Sequence, residues 1–416
     1  MHSTPEEDLY AAAEAMREAM RSKSMSRCKG KGKAATPPTT TTTRTAAATS
    51  PPSASATTLA HATTATTTTS SPAHSPSHHS SPSSTTSSHH IPHPPSETDQ
   101  SPTTNGTTTG GGGPFAFDDD MARYPASMTS SVRDHVYEGG LRYHAYRAGK
   151  YAFPNDETEQ NRDDMKHTMT LMLCRGAYFY APVEEVLERG GEVLDLVGDK
   201  YPNATITGID LSPIQPTFVP ENVHFFVDDF EEEWVDPDNK FDFIHLRHTL
   251  HSVQDPKALF RRALRHLKPG GYFEAQEISI TPESDDDTLS PDVPYALRDY
   301  INFMAAGMRA LGSDVHAVRT LPEDLRAAGF EDVRKTTHKC PLGVWPRDKR
   351  LRFCGLFLRT AIMDGLRGLS RRPLTALGWT QLQIEMFLVD VRKALMDAGV
   401  HAYMTLHVVH GRKPAR

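Results

Sequence analysis

The stretch GEVLDLVGDKYPNATITGIDLSPIQP, Gly191–Pro216, decides how the chain reads. It closes a βαβ-like pattern: paired glycines, a helix expected over Val193–Lys200, then an apolar strand over Thr205–Ile209 that runs into Asp210. An acidic residue about 20 residues past a glycine turn is placed where one helix separates two parallel strands. Its carboxylate suits the two hydroxyls of a ribose.

Outward from that stretch the rhythm continues. Val183–Leu187 reads as a helix or a strand, and strands are expected at Val223–Val227 and Phe241–Leu246. A helix over Pro256–Leu267, a turn at Lys268–Gly271 and a strand at Tyr272–Glu277 follow. Apolar strands alternating with helices imply an α/β fold with a mostly parallel, doubly wound sheet, whose ligands sit at the strand C-terminal ends. Upstream, Asn155 and Asp156 are placed to cap a helix reaching Cys174, with Met165, Met169, Met172 and Leu173 as its buried stripe. Downstream come an acidic loop (Glu283–Asp287) and a helix near Tyr295–Leu311. LPEDLRAAGFEDV (Leu321–Val333) then reads as helix, glycine cap and strand. Helices near Leu351–Leu366 and Thr375–Ala398 precede a closing strand at Met404–Pro414.

The first part of the chain reads differently. From Ala34 to Gly113 it is almost wholly Thr, Ser, Pro, Ala, His and Gly, so ordering it would cost backbone entropy without burying apolar area. Residues 1–127 are therefore expected to be a disordered tail and residues 128–416 the folded domain. Within the tail, Pro5–Met20 favours a short helix, and Arg21–Lys33 is a small basic cluster that reads as a linker or a nuclear-targeting patch.

The balance of 45 Lys and Arg against 52 Asp and Glu gives a net charge of -7, which supplies no global field for nucleic acid. Direct nucleic-acid binding is not expected. The four cysteines form no CxxC pair, so neither a metal site nor a disulfide framework is expected. With no secretory signal and no long apolar run, the chain is expected to be intracellular, cytoplasmic or nuclear, and not in a membrane.

Several motifs carry a family resemblance. RYHAYRAGKYAFPNDETEQNR (Arg142–Arg162), YPNA, GIDLSPIQP, VDDF (Val227–Phe230), FDFIHLR (Phe241–Arg247), LKPGGYFEAQE (Leu267–Glu277) and the closing HVVHGRKP occur in this order. The chain resembles the fungal S-adenosylmethionine-dependent methyltransferases that include the LaeA-like regulators of secondary metabolism. The resemblance implies a Rossmann-like class I methyltransferase fold and S-adenosyl-L-methionine as cofactor. It also implies a small-molecule or protein methyl acceptor, with nuclear protein partners as a further possibility. A catalytically silent regulator of the same fold is the alternative function.

The resemblance also assigns contacts. Glu188, Gly190 and Gly191 stand for the glycine turn, although the family reads like VLDLGTGTGIW before its YPNA match, whereas this chain is shorter and has fewer glycines there. Asp210 with Leu211 takes the ribose, and one of Asp228 and Asp229 takes the adenine amino group. Arg247 and His248 are placed at the pocket floor. A histidine there suits a general base because imidazole titrates near neutrality, which makes His248, with His251 beside it, the catalytic candidate. Tyr143, Tyr146 and Tyr151 either cover the site or pack the first helix.

Overall fold

The structure, a computed structural model, describes residues 134–194, 200–215 and 219–416. The expected tail, the helix over Pro5–Met20 and the basic cluster lie outside the described residues. The order of elements is β1 (His135–Glu138), β2 (Leu141–His144), α1 (Glu157–Leu173), α2 (Glu184–Arg189), β3 (Glu192–Leu194), β4 (Thr205–Asp210), β5 (Val223–Val227) and β6 (Phe241–Arg247). Then come α3 (Pro256–His266), β7 (Leu267–Glu283), α4 (Ala296–Ala310), α5 (Leu321–Ala328), β8 (Glu331–Pro341), α6 (Lys349–Ala376), α7 (Gln381–Met396) and β9 (Tyr403–Arg412).

Seven strands form one sheet in the order β5-β4-β3-β6-β7-β9-β8. β5, β4, β3, β6 and β7 pair in parallel, and β9 runs antiparallel between β7 and β8. The chain winds from β3 outward to β5, then returns to β6 on the other side of β3. That reversal makes the β3/β6 junction the switch point, where an open parallel sheet leaves a crevice beyond its strand ends.

The central strands form because both of their faces are covered. Phe241, Phe243 and Ile244 of β6 are almost fully buried, as are Phe273 and Ala275 of β7. α3 starts sharply: Asp255 accepts from the Ala258 amide, Pro256 supplies a helix-ready φ, and Leu259, Phe260 and Ala263 are buried. α5 ends on Gly329 at φ +107°, a left-handed conformation that glycine adopts without a Cβ penalty. On α1, Asp156 is the N-cap and accepts from the Glu159 amide, while Met165, Met169 and Leu173 are buried. α1, α4, α6 and α7 share the larger core.

Three expectations are corrected. Val193 and Leu194 belong to β3, pairing with both β4 and β6, rather than to a helix over Val193–Lys200. A short apolar run buried on both sides has no period that separates strand from helix. Lys268–Gly271 is an irregularity inside the long strand β7, with Gly270 at φ +81°, rather than a free turn. The helix expected to stop at Leu366 runs to Ala376 through Pro373. Gly307 of α4 lies there so close that an added Cβ would meet the Pro373 carbonyl oxygen at 2.2 Å, so bare backbone is what lets α4 pack against this turn.

Candidate functional site

Residues that follow the parallel strands meet in one cavity of about 520 Å³ between α1 and the strand C-terminal ends. Asp210, Leu211 and Ser212 come from the end of β4, Asp229 from just past β5, and Arg247 and His248 from the end of β6. Asp163, Lys166 and His167 of α1 face them across the opening.

Asp210 accepts from the Ser212 amide at 2.8 Å. Burial pushes its carboxyl up to about 6, and the neighbouring carboxylate of Asp163 acts in the same direction. The Asn155 amide nitrogen donates to the Ser212 hydroxyl at 3.1 Å, and Arg142 donates to the Asn155 side chain at 3.2 Å. The segment before α1 thereby anchors the turn after β4.

Asp228 and Asp229 divide their work. The Tyr146 hydroxyl donates to Asp228 Oδ1 at 3.2 Å, and this residue does not line the cavity. Asp229 does, and it is buried. Its Oδ1 accepts from the Glu231 amide at 3.0 Å, whereas its Oδ2 is buried without a hydrogen-bond partner, the Lys150 ammonium lying 3.6 Å away. A buried carboxylate oxygen without a donor is costly unless a ligand supplies one.

Arg247 is held on three sides, by Gln276 Oε1 at 3.0 Å, the Tyr178 carbonyl at 2.9 Å and His167 Nδ1 at 3.0 Å. His248 follows in a left-handed conformation, φ +53°, with its amide on the Gln276 carbonyl and its Nε2 2.9 Å from the Thr170 hydroxyl. Burial lowers its pKa well below the usual histidine value, helped by the positive charges of Lys166 and Arg247, so the ring is neutral at pH 7. Next to it, Glu277 accepts from the Thr249 amide and, at 2.6 Å, from the Leu250 amide, with His251 Nδ1 3.9 Å away. A second cavity of about 120 Å³ opens beside these groups, walled by Leu297, Ile301, Met304 and Ile362.

The remaining expected contacts are elsewhere. Glu188, Gly190 and Gly191 do not line the cavity. Gly190 caps the C-terminus of α2 at φ +113°, and Glu188 offers its carbonyl to Asn203. They precede β3, so they stand at its N-terminal end, level with Thr205 of β4. Five residues of β4 separate that level from Asp210, roughly 16 Å at strand rise. A ligand turn must follow its strand, and β3 is described as far as Leu194, so Gly190 and Gly191 lie before it. Residues 195–199, which come next, lie outside the described residues, and β4 opens at Thr205. Of the three tyrosines, Tyr151 lines both cavities, Tyr146 holds Asp228, and Tyr143 is fully buried under Arg372.

Sequence reasoning missed Asp163, Lys166, Thr170 and Glu277. The first three recur at one-turn spacing on α1, a signal hidden by the methionine stripe on the same helix.

A methyltransferase domain model matches residues 182–335. The chain is 36% identical over 307 residues to "Methyltransferase pytC" of Aspergillus terreus, covering 69% of this chain and 91% of that protein. The chain belongs to the fungal LaeA-like methyltransferases. "Secondary metabolism regulator laeA" of Aspergillus flavus is 33% identical over 303 residues, covering 70% and 80% of the two chains. "Protein-methionine methyltransferase laeA" of Emericella nidulans is 32% identical, covering 70% and 80%. Among solved structures, phosphoethanolamine N-methyltransferase 2 of Haemonchus contortus with S-adenosyl-L-methionine is 16% identical, with a TM-score of 0.34 over 68% of this chain and 72% of that one. The [4+2]-cyclase SpnF is 19% identical, with a TM-score of 0.34 over 64% and 100%.

The donor set suits the nucleoside part of the family's cofactor. Two carboxylates stand at neighbouring strand ends, one with a buried oxygen that accepts no hydrogen bond, beside a cavity of nucleoside size.

Proposed function

We propose that the chain transfers a methyl group from S-adenosyl-L-methionine to an acceptor linked to secondary metabolism. The observation that carries this reading is the buried Oδ2 of Asp229, which accepts no hydrogen bond and has only the Lys150 ammonium 3.6 Å away, beside Asp210 in the same cavity. Asp210, next to Leu211, takes the ribose hydroxyls, and Asp229 takes the adenine amino group. Asp228 positions Tyr146 and the chain after β5. When bound, the cofactor supplies an electrophilic methyl group.

The chain then has to hold an acceptor in line and exclude water. The small apolar cavity beside His248 is the acceptor's place, and its walls of Leu, Ile and Met favour a carbon skeleton with one polar group. His248 is the candidate to accept the proton that an acceptor hydroxyl or amine loses, and burial among positive charges makes its ring a weak base. Thr170 fixes the ring through Nε2.

Calorimetric titration tests the reading. Micromolar binding of S-adenosyl-L-methionine and its demethylated product is expected. Absence of heat and of any thermal shift at millimolar ligand would refute it. The second reading, a catalytically silent regulator with protein partners in the nucleus, draws on the sequence, which before YPNA is shorter and has fewer glycines than the family's VLDLGTGTGIW.

A further inference from the structure

α7 carries two apolar rows on opposite faces. Ile384, Leu388, Val391 and Leu395 recur every three or four residues, are buried, and pack with α4 and α6 in the larger core. Two residues earlier at each step, a rotation of about 200°, Leu382, Met386 and Val389 repeat that spacing, and Met396 continues it past Lys393. These four apolar side chains are 47% to 71% exposed. A helix packed by one face is polar on the other, so a second apolar row over about four turns marks a face that another molecule covers.

The charges along the row indicate which molecule. Glu385 precedes Val389 by four residues and Lys393 follows it by four, while Met386 precedes by three and Arg392 follows by three. A two-fold axis through Val389 reverses one copy of the helix against another. It sets Leu382 against Met396, Glu385 against Lys393 and Met386 against the aliphatic stem of Arg392, each contact occurring twice. A parallel pairing would lay Glu385 on Glu385 and Lys393 on Lys393, which like charges oppose. Within one copy these charges make exposed surface pairs, Glu385 with Arg367 at 3.9 Å and Lys393 with Asp390 at 2.9 Å, which exchange at little cost.

We propose that this face of α7 docks a second copy of the chain, the two α7 helices crossing antiparallel about Val389. The row from Leu382 to Met396 is about 21 Å long at helical rise, a small interface whose dimer forms in the micromolar range. No residue of α7 lines either cavity, so the pairing is independent of the methyltransferase reading.

Sedimentation equilibrium on the full chain, from about 1 to 200 µM at low salt, tests the pairing. Reversible association to twice the chain mass is expected, with a dissociation constant of about 1–50 µM. Val389→Glu places two carboxylates together at the axis and should weaken the dimer at least about tenfold. Its melting temperature, taken where the wild type is monomeric, should match the wild type because the position is exposed. Glu385→Lys and Lys393→Glu should each weaken the dimer about three- to tenfold, and the two together should restore most of it, a recovery that loss of apolar surface cannot produce. A chain that stays monomeric to about 200 µM overturns the proposal and leaves the face to residues 1–133 or to a different protein. Association that Val389→Glu does not weaken, or a charge exchange that restores nothing, overturns it as well.

Discussion

The two walls of the main cavity are built to different standards. On the sheet side, Asp210 and Asp229 are locked by backbone amides one or two residues on, and each is buried or nearly so. On the helix side, Asp163 and Lys166 hold one another across a single turn, with the aspartate side chain 56% exposed. The sheet wall is held by backbone amides, whereas the helix wall is held by the pair itself.

Replacing Asp210 breaks the comparison most severely. Asp210→Asn is expected to weaken S-adenosylhomocysteine by about 10- to 100-fold, the worth of hydrogen bonds to a charged acceptor. The same change should stabilise the empty protein. Its carboxyl is raised from 3.8 to about 6 on folding, so the folded state binds the extra proton between those values. Stability therefore falls as pH rises from about 4 to 6 and stays lower above that. At pH 8, Asp210→Asn should recover about 1–3 kcal/mol in denaturant unfolding, and at pH 4 almost none. Ligand affinity runs the opposite way, dropping as pH falls through 6 in the wild type and staying flat in the variant. A variant that lost stability at pH 8 would show that the buried charge is compensated by the fold itself.

Asn155 joins the two walls, since it precedes α1 and donates to Ser212 after β4. Asn155→Ala should cost about 1 kcal/mol in denaturant unfolding and weaken S-adenosylhomocysteine several-fold in calorimetry. Unchanged affinity would show that the sheet wall keeps its shape without Asn155.

The sheet wall was legible in the sequence and the helix wall was not, for a physical reason. Asp210 and the Asp228/Asp229 pair each end an apolar strand, and a parallel sheet delivers such positions to one edge whatever surrounds them. Asp163 and Lys166 look like any solvated helix turn until α1 is seen lying over the strand ends. The glycines misled because Val193 and Leu194 were read as helix. Once those residues are strand, everything before them moves to the opposite edge. Arg247 ends β6 and His248 follows it, and the bonds from Gln276, Tyr178 and Thr170 that orient them come from distant segments and carry no local signature.

The smallest expected effect concerns that opposite edge. Gly190 closes α2 at φ +113°, and a Cβ there would also approach the Asn203 carbonyl oxygen at 3.2 Å. Gly190→Ala should lower stability by about 1 kcal/mol through the left-handed cap. It should leave the affinity for S-adenosylhomocysteine unchanged, because the cavity lies beyond the other end of the strand. The ratio of the two effects is the informative quantity: a cap substitution that unfolds the protein earlier in denaturant but titrates like wild type confines the site to the strand C-terminal ends. Weakened binding at unchanged stability would instead return Gly190 to the ligand and require the chain around β3 to run in the other register.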